Sequence, residues 1–146
     1  MPNLVVYTLG TSTRTKEEFL ELIHHYHIEA VVDVRSFPQS RFDHFKKYNL
    51  ARILREDGYT YIYLGKELGG FRKGGYLSYT LTTSYQSGIF QLEEVAREST
   101  TAFICAERFP WKCHRRFIAS SLEERGWEVI HIIDKDRVWR YQGLTK

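Results

Sequence analysis

Segments suited to β-sheet alternate along this chain with segments suited to helix, and that alternation limits the possible folds more than any other feature. LVVYTL (4–9), AVVDVR (30–35), YTYIYL (59–64), TAFICA (101–106) and EVIHII (128–133) are short and rich in Val, Ile, Tyr and Phe. Such side chains pack well on a pleated surface. Several of the segments are apolar on both faces, as strands covered from two sides must be. Between them, Phe19, Ile23 and Tyr26 recur at helical spacing behind a Thr15–Glu18 capping-box pattern. NLARILRED (49–57) and FIASSLEER (117–125) repeat the helical period and stop at Gly58 and Gly126, where a C-terminal cap takes glycine. A further helix is expected near residues 85–97. The pattern predicts an α/β, three-layer, Rossmann-like unit: a mostly parallel five-stranded sheet with helices on both faces. At 146 residues the chain is read as one domain, 1–146, large enough for a core without disulfide staples.

Composition removes several classes. No apolar run approaches the roughly 18 residues that span a bilayer, and MPNLVVYTLG lacks a basic segment followed by a long apolar one. The chain is therefore expected to be cytoplasmic and without a membrane partner. Two cysteines make no disulfide framework, so both are expected as thiols in a reducing compartment. A net charge of +3 permits acidic partners but falls short of what identifies a nucleic-acid binder.

In parallel sheets ligands bind beyond the carboxyl ends of the strands, where loops and helix N-termini converge. Here GTSTR (10–14) follows the first strand, SFPQSR (36–41) the second, GKELGGFRKGG (65–75) the third and ERFPWKCHR (107–115) the fourth. All four polar clusters fall on one edge of the sheet. The opposite edge carries ordinary turns such as HHYHIE and REDGYT. The third connection, GKELGGFRKGGYLSYTLTTS, has five glycines and is too long for a plain crossover, the mark of a functional or mobile loop.

The fourth cluster concentrates the chemistry. Lys112, His114, Arg115 and Arg116 stand at the amino end of a helix, where cations are unfavourable unless an anion binds among them. Arg14, Arg35, Arg41 and Arg72 can reach the same region; the alternative for any one of them is to point into water or to pair with Asp33, Glu67 or Glu107. Cys113, beside that helix end and flanked by cations, sits where thiolate is favoured and is a candidate nucleophile. Cys105 ends an apolar strand and reads first as a small core residue. Eight positions separate the two cysteines, and no C-x-x-C spacing supports a disulfide. Asp33 and Glu107 are the carboxylates expected to reach the cleft as proton carriers, with a structural Asp33–Arg35 pair as the alternative. Ser12, Ser36 and Tyr76 can offer hydroxyls. No zinc spacing and no nucleotide fingerprint is present, so neither metal nor cofactor is expected.

YTLGTSTR, VDVRSFPQSR, ELGGFR and CAERFPWKCHR together resemble the family of uncharacterised bacterial and archaeal proteins called DUF488. The resemblance implies an α/β domain and a shared site built from Gly10, Ser12, Arg14, Asp33, Arg35, Ser36, Arg41, Gly69, Gly70, Cys105, Glu107, Cys113, His114 and Arg115. Family members usually read T-I-G-H-S in the first motif, and this chain carries Thr11 where that histidine is expected. The resemblance supplies no reaction.

Two functions compete. One is a small enzyme acting on a phosphorylated or otherwise anionic substrate, a nucleotide or a nucleic-acid end, with Cys113 as nucleophile, Glu107 or Asp33 moving protons, and arginines clamping the anion. The other is a non-catalytic nucleic-acid-binding module, with the arginines on phosphates and Tyr76, Tyr79, Phe71 or Trp111 stacking on bases. The aromatic tail DRVWRYQGL leaves two further arrangements open, a homodimer contact or a return onto its own sheet.

Overall fold

The computed structural model describes residues 4–36 and 42–140. Six strands form a single sheet: β1 (Val5–Gly10), β2 (Ala30–Asp33), β3 (Thr60–Tyr63), β4 (Thr101–Cys105), β5 (Glu128–Asp134) and β6 (Arg137–Trp139). Their order is β3-β2-β4-β1-β5-β6, and all pairings are parallel except β5 with β6. The α/β class and mostly parallel sheet match the sequence reading; the count of five strands does not. β6 was missed because it is three residues long and lies in the tail DRVWRYQGL, whose described part turns back to pair with β5 of its own chain. The rest of that tail, from residue 141, lies outside the described residues.

Period-two alternation divides the core between two faces. Val32, Val34, Phe103 and Cys105 point to one side, against α3 (Gly65–Leu68), α5 (Thr83–Glu98) and α6 (Arg115–Glu124). Val31, Ala102 and Ile104 point to the other, against α1 (Lys16–His25) and α2 (Lys47–Glu56). The helices stop and start where the sequence indicates. Thr15 accepts the Glu18 amide while the Glu18 carboxylate accepts the Thr15 amide, completing the capping box. Gly58 and Gly126 take φ of 89° and 96°, a left-handed conformation that a side chain would strain. The long third connection contains α3 and another single-turn helix, α4 (Tyr76–Tyr79). Among the described residues no helix is long and apolar enough to cross a membrane.

The strand order sets the position of the cleft. From β1 the chain runs through α1 to β2 on one side, whereas from β4 it runs through α6 to β5 on the other, so the connections diverge at the adjacent ends of β1 and β4. Such a divergence opens a crevice at the carboxyl edge.

Candidate active site at the carboxyl edge of β1 and β4

A cleft of about 1150 Å³ opens at that divergence. Its wall is contributed by Thr11, Ser12 and Thr13 after β1, Arg35 and Ser36 after β2, Gly70, Phe71, Arg72 and Tyr76 from the third connection, and Cys105 to Phe109 with Lys112 to His114 after β4; Phe42, Arg116 and Phe117 complete it. The first and fourth loops are laced together by backbone. The Thr11 amide donates to Cys105 O and the Ser12 amide to Ala106 O, each at 2.8 Å. Gly10 is required there because a Cβ would collide with the Glu107 carbonyl. Ser12 holds φ of 47°, an unusual state for a non-glycine residue that the two flanking strand ends impose. The third loop is tied in from below, with Ser36 Oγ donating to Gly70 O at 2.5 Å and Arg72 donating to Gly69 O and Lys66 O.

The arginines expected around the cleft divide into three groups. Arg72 lines it, with its guanidinium 3.8 Å from the Tyr79 ring centroid. Arg35 contributes to the wall, but its guanidinium is committed: it donates to both carboxylate oxygens of Asp33 at 2.8 Å and to Phe45 O at 2.7 Å. Asp33 is 0% exposed and also accepts the Tyr61 hydroxyl at 2.6 Å. That network places the Asp33 carboxylate under the sheet edge rather than at the cleft wall. Burial alone would lower the Arg35 pKa, but hydrogen bonding to Asp33 and its charge outweigh burial and raise it. Arg14 and Arg115 form the third group, buried and absent from the wall. Arg14 donates to Gly10 O and Ile133 O. Arg115 donates to Thr8 Oγ1 at 2.8 Å, Glu107 O at 2.6 Å and Arg108 O at 3.2 Å, and its Nε has no hydrogen-bond partner among the described residues. Neither has a carboxylate within salt-bridge distance among the described residues. Burial first, and then the charge of Arg108 on Arg14 and of Arg14 on Arg115, push Arg14 down to about 10 and Arg115 down to about 9, so both remain cationic at neutral pH. Arg41 lies outside the described residues.

Thr8 Oγ1, which accepts from Arg115, also shares a hydrogen bond with His131 Nδ1, 2.6 Å away. Burial, with Arg115 second, drives His131 down to about 3 and keeps it neutral.

Cys113 and His114 occupy the amino end of α6. The Arg115 amide donates to Cys113 Sγ at 3.3 Å, and His114 Nδ1 lies 3.7 Å from the same sulfur. His114 Nε2 donates to Val34 O at 2.8 Å, which fixes the hydrogen on Nε2 and leaves Nδ1 as the basic nitrogen facing the sulfur. Burial lowers the pKa of His114, holding the ring neutral at pH 7. The ring is packed against Tyr76 at 5.3 Å, and Gly70 leaves it room, since a Cβ there would stand 3.2 Å from Nδ1. Glu107 is exposed at the cleft wall and its carbonyl receives Arg115.

The two cysteines meet. Cys105 and Cys113 are joined as a disulfide with Cα atoms 7.7 Å apart, and no cysteine of the chain is free. This corrects the expectation of two thiols: Phe109 and the 3-10 turn Pro110–Lys112 fold the intervening loop back, so that Cys113 returns beneath the end of β4. No group of three or more His, Cys, Asp or Glu among the described residues is placed to hold a metal ion.

Sequence reasoning assigned His114 to substrate binding and missed its pairing with Cys113, although adjacency at a helix start was the available signal. It gathered Lys112 and Arg116 at the same helix end, and missed Phe109 as a wall residue. A family model described as Domain of unknown function DUF488 matches residues 15–122, and the chain belongs to that family. The match includes the Cys113–His114 corner and leaves Gly10, Ser12 and Arg14 outside it. No curated protein and no solved structure matches.

Proposed function

We propose that the chain is a small enzyme whose reduced Cys113 attacks a phosphorylated or otherwise anionic substrate, a nucleotide or a nucleic-acid end, held in the cleft. The observation that carries this reading is the arrangement at the sulfur. An amide of the α6 amino end points at it, and a neutral imidazole with its hydrogen fixed on the far nitrogen stands beside it. Amide and helix end favour thiolate, and Nδ1 can accept the thiol proton, the pairing by which a cysteine becomes a nucleophile. Two buried guanidiniums with no carboxylate at salt-bridge distance among the described residues add positive potential behind the wall, and opposite charge is attracted across a low-dielectric boundary. In front of it, Arg72, Arg108, Lys112 and Arg116 supply the contacts for an anion, with Ser12 as a hydroxyl donor. Glu107 is the remaining proton carrier at the wall. Arg14 and Arg115 act from beneath, and the Asp33–Arg35 pair holds the second loop in place.

A second reading, a nucleic-acid-binding module, is favoured by aromatic exposure at the rim. Phe71 is 88% exposed and Trp111 45%, with Trp111 stacked on Phe109 at 5.2 Å. Such rings are platforms for bases. One experiment separates the two. Reduced wild type and Cys113→Ser are incubated with mononucleotides and with 5′- and 3′-phosphorylated oligonucleotides, while product release and adducts on Cys113 are followed by mass spectrometry. The enzyme reading expects product or adduct with wild type alone. Equal, salt-sensitive oligonucleotide binding by both proteins, with no product, would transfer the case to the binding module.

A further inference from the structure

We propose that Cys105 and Cys113 form a working dithiol–disulfide couple that exchanges with anionic low-molecular-weight disulfides, Cys113 attacking and Cys105 resolving. The inference shares with the enzyme reading Cys113 as the reactive sulfur and the cationic wall of Arg108, Lys112 and Arg116.

The two sulfurs are joined in the structure, yet their surroundings differ. Cys113 is half-buried in the cleft wall, receives the Arg115 amide at 3.3 Å and faces His114 Nδ1 at 3.7 Å. Cys105 is 2% exposed at the end of β4, where the Glu107 carbonyl lies 3.9 Å from its sulfur. An incoming molecule meets the half-buried outer sulfur far more readily than the 2%-exposed inner one, and the outer sulfur is the one whose thiolate is favoured. That asymmetry suits exchange, in which one thiolate attacks from the surface and a second releases the product from behind. A purely structural role is the weaker account. A bridge across eight residues closes a short loop, and the entropy removed from the unfolded chain grows with loop length. The segment it closes is already tied by Arg115 to Glu107 O and Arg108 O.

The step balances. Cys113 thiolate attacks one sulfur of R–S–S–R; that bond breaks, and one RS⁻ leaves and takes a proton from solvent. Cys105 loses its proton and attacks Cys113 in the mixed disulfide, expelling the second RS⁻ and closing the Cys105–Cys113 bond. Two electrons pass from the protein dithiol to the substrate, which becomes two thiols. Two equivalents of a low-molecular-weight thiol return the protein to its dithiol form. Lys112, Arg108 and Arg116 on the same wall select a disulfide bearing carboxylates over one bearing amines.

Fully reduced full-length protein is mixed with glutathione disulfide, which carries carboxylates, or with cystamine, which carries amines, and species are resolved by mass spectrometry. Wild type is expected to lose two hydrogens and form the internal disulfide, roughly tenfold faster with glutathione disulfide at low salt. Cys105→Ala should accumulate one glutathione on Cys113, and Cys113→Ser should take up none at a comparable rate. Wild type that stays a dithiol, or that accumulates a lasting glutathione adduct in place of the internal disulfide, overturns the proposal, and this readout needs no variant to fold. Nucleotide turnover measured in the same reduced samples separates the two readings. Turnover without exchange removes this inference alone, whereas exchange without turnover removes only the phosphorylated-substrate reading.

Discussion

Two places on the carboxyl edge bury charge, and they treat it in opposite ways. At the end of β2, Arg35 and Asp33 neutralise each other through a two-pronged bridge capped by Tyr61. At the adjoining ends of β1 and β4, Arg14 and Arg115 are buried and donate to carbonyl and hydroxyl oxygens, with no carboxylate within salt-bridge distance among the described residues. A closed pair has nothing left to offer a ligand, and its work is to fix the second loop. Cations compensated only by dipoles keep a positive potential that an anion or a thiolate can answer. The contrast separates scaffold from chemistry along one sheet edge.

The largest effects should fall on opposite properties at the two places. Cys113→Ser is expected to reduce product or adduct formation by about 10³-fold or more while leaving the melting temperature close to that of reduced wild type. Asp33→Asn should do the reverse, lowering stability by about 3 to 5 kcal/mol through an uncompensated Arg35, with Cys113 alkylation unchanged wherever the protein is folded. Chemical denaturation and alkylation rates check both. If Asp33→Asn silences Cys113 in folded protein, the division between scaffold and chemistry breaks down.

Next in size is an acid effect centred beneath β1 and β5. His131 is held down to about 3 when folded, against an ordinary value near 6.5, so below about pH 6.5 the unfolded chain binds a proton that the folded one refuses. Its contribution is complete above that pH and is lost as pH falls toward 3, at about 1.4 kcal/mol per pH unit. His131→Gln should flatten the stability profile in that window; an unchanged acid slope would show that the Thr8–His131 link does not titrate this way.

The smallest effect sharpens the comparison at Gly70. A Cβ there would press on His114 Nδ1 at 3.2 Å, so Gly70→Ala should slow Cys113 alkylation a few-fold at a stability cost within about 1 kcal/mol. Equal rates for the two proteins would mean that the imbalance at the sulfur does not depend on the imidazole.

Much of this edge was legible beforehand because it depends on local rules. Strand composition, the Thr15–Glu18 cap, Gly58 and Gly126 each act over a few residues, and together they placed four polar loops on one side. The same rules contained an unused signal at Arg115, which stands on the stripe of Ile118, Ala119 and Leu122 that α6 buries. Reading Arg115 by charge alone sent it outward to the ligand; reading it by period sends it inward. Arg35 and Asp33, two apart on one strand, face the same way, so their pairing was accessible as an alternative. The meeting of Cys105 with Cys113 was not, since it depends on how a loop containing Pro110 folds, and spacing does not encode that. β6 was lost for lack of length, three residues being too few for periodicity to register.

The direct test of the central claim is the alkylation rate of Cys113 in fully reduced wild type as a function of pH, with Cys105 in the same molecule as the internal reference. An activated sulfur at the amino end of α6, beside neutral His114, should react near its maximal rate already at pH 7 and about tenfold faster than Cys105. A Cys113 rate that climbs with pH up to about 8.5, as that of an unperturbed thiol does, would contradict the account.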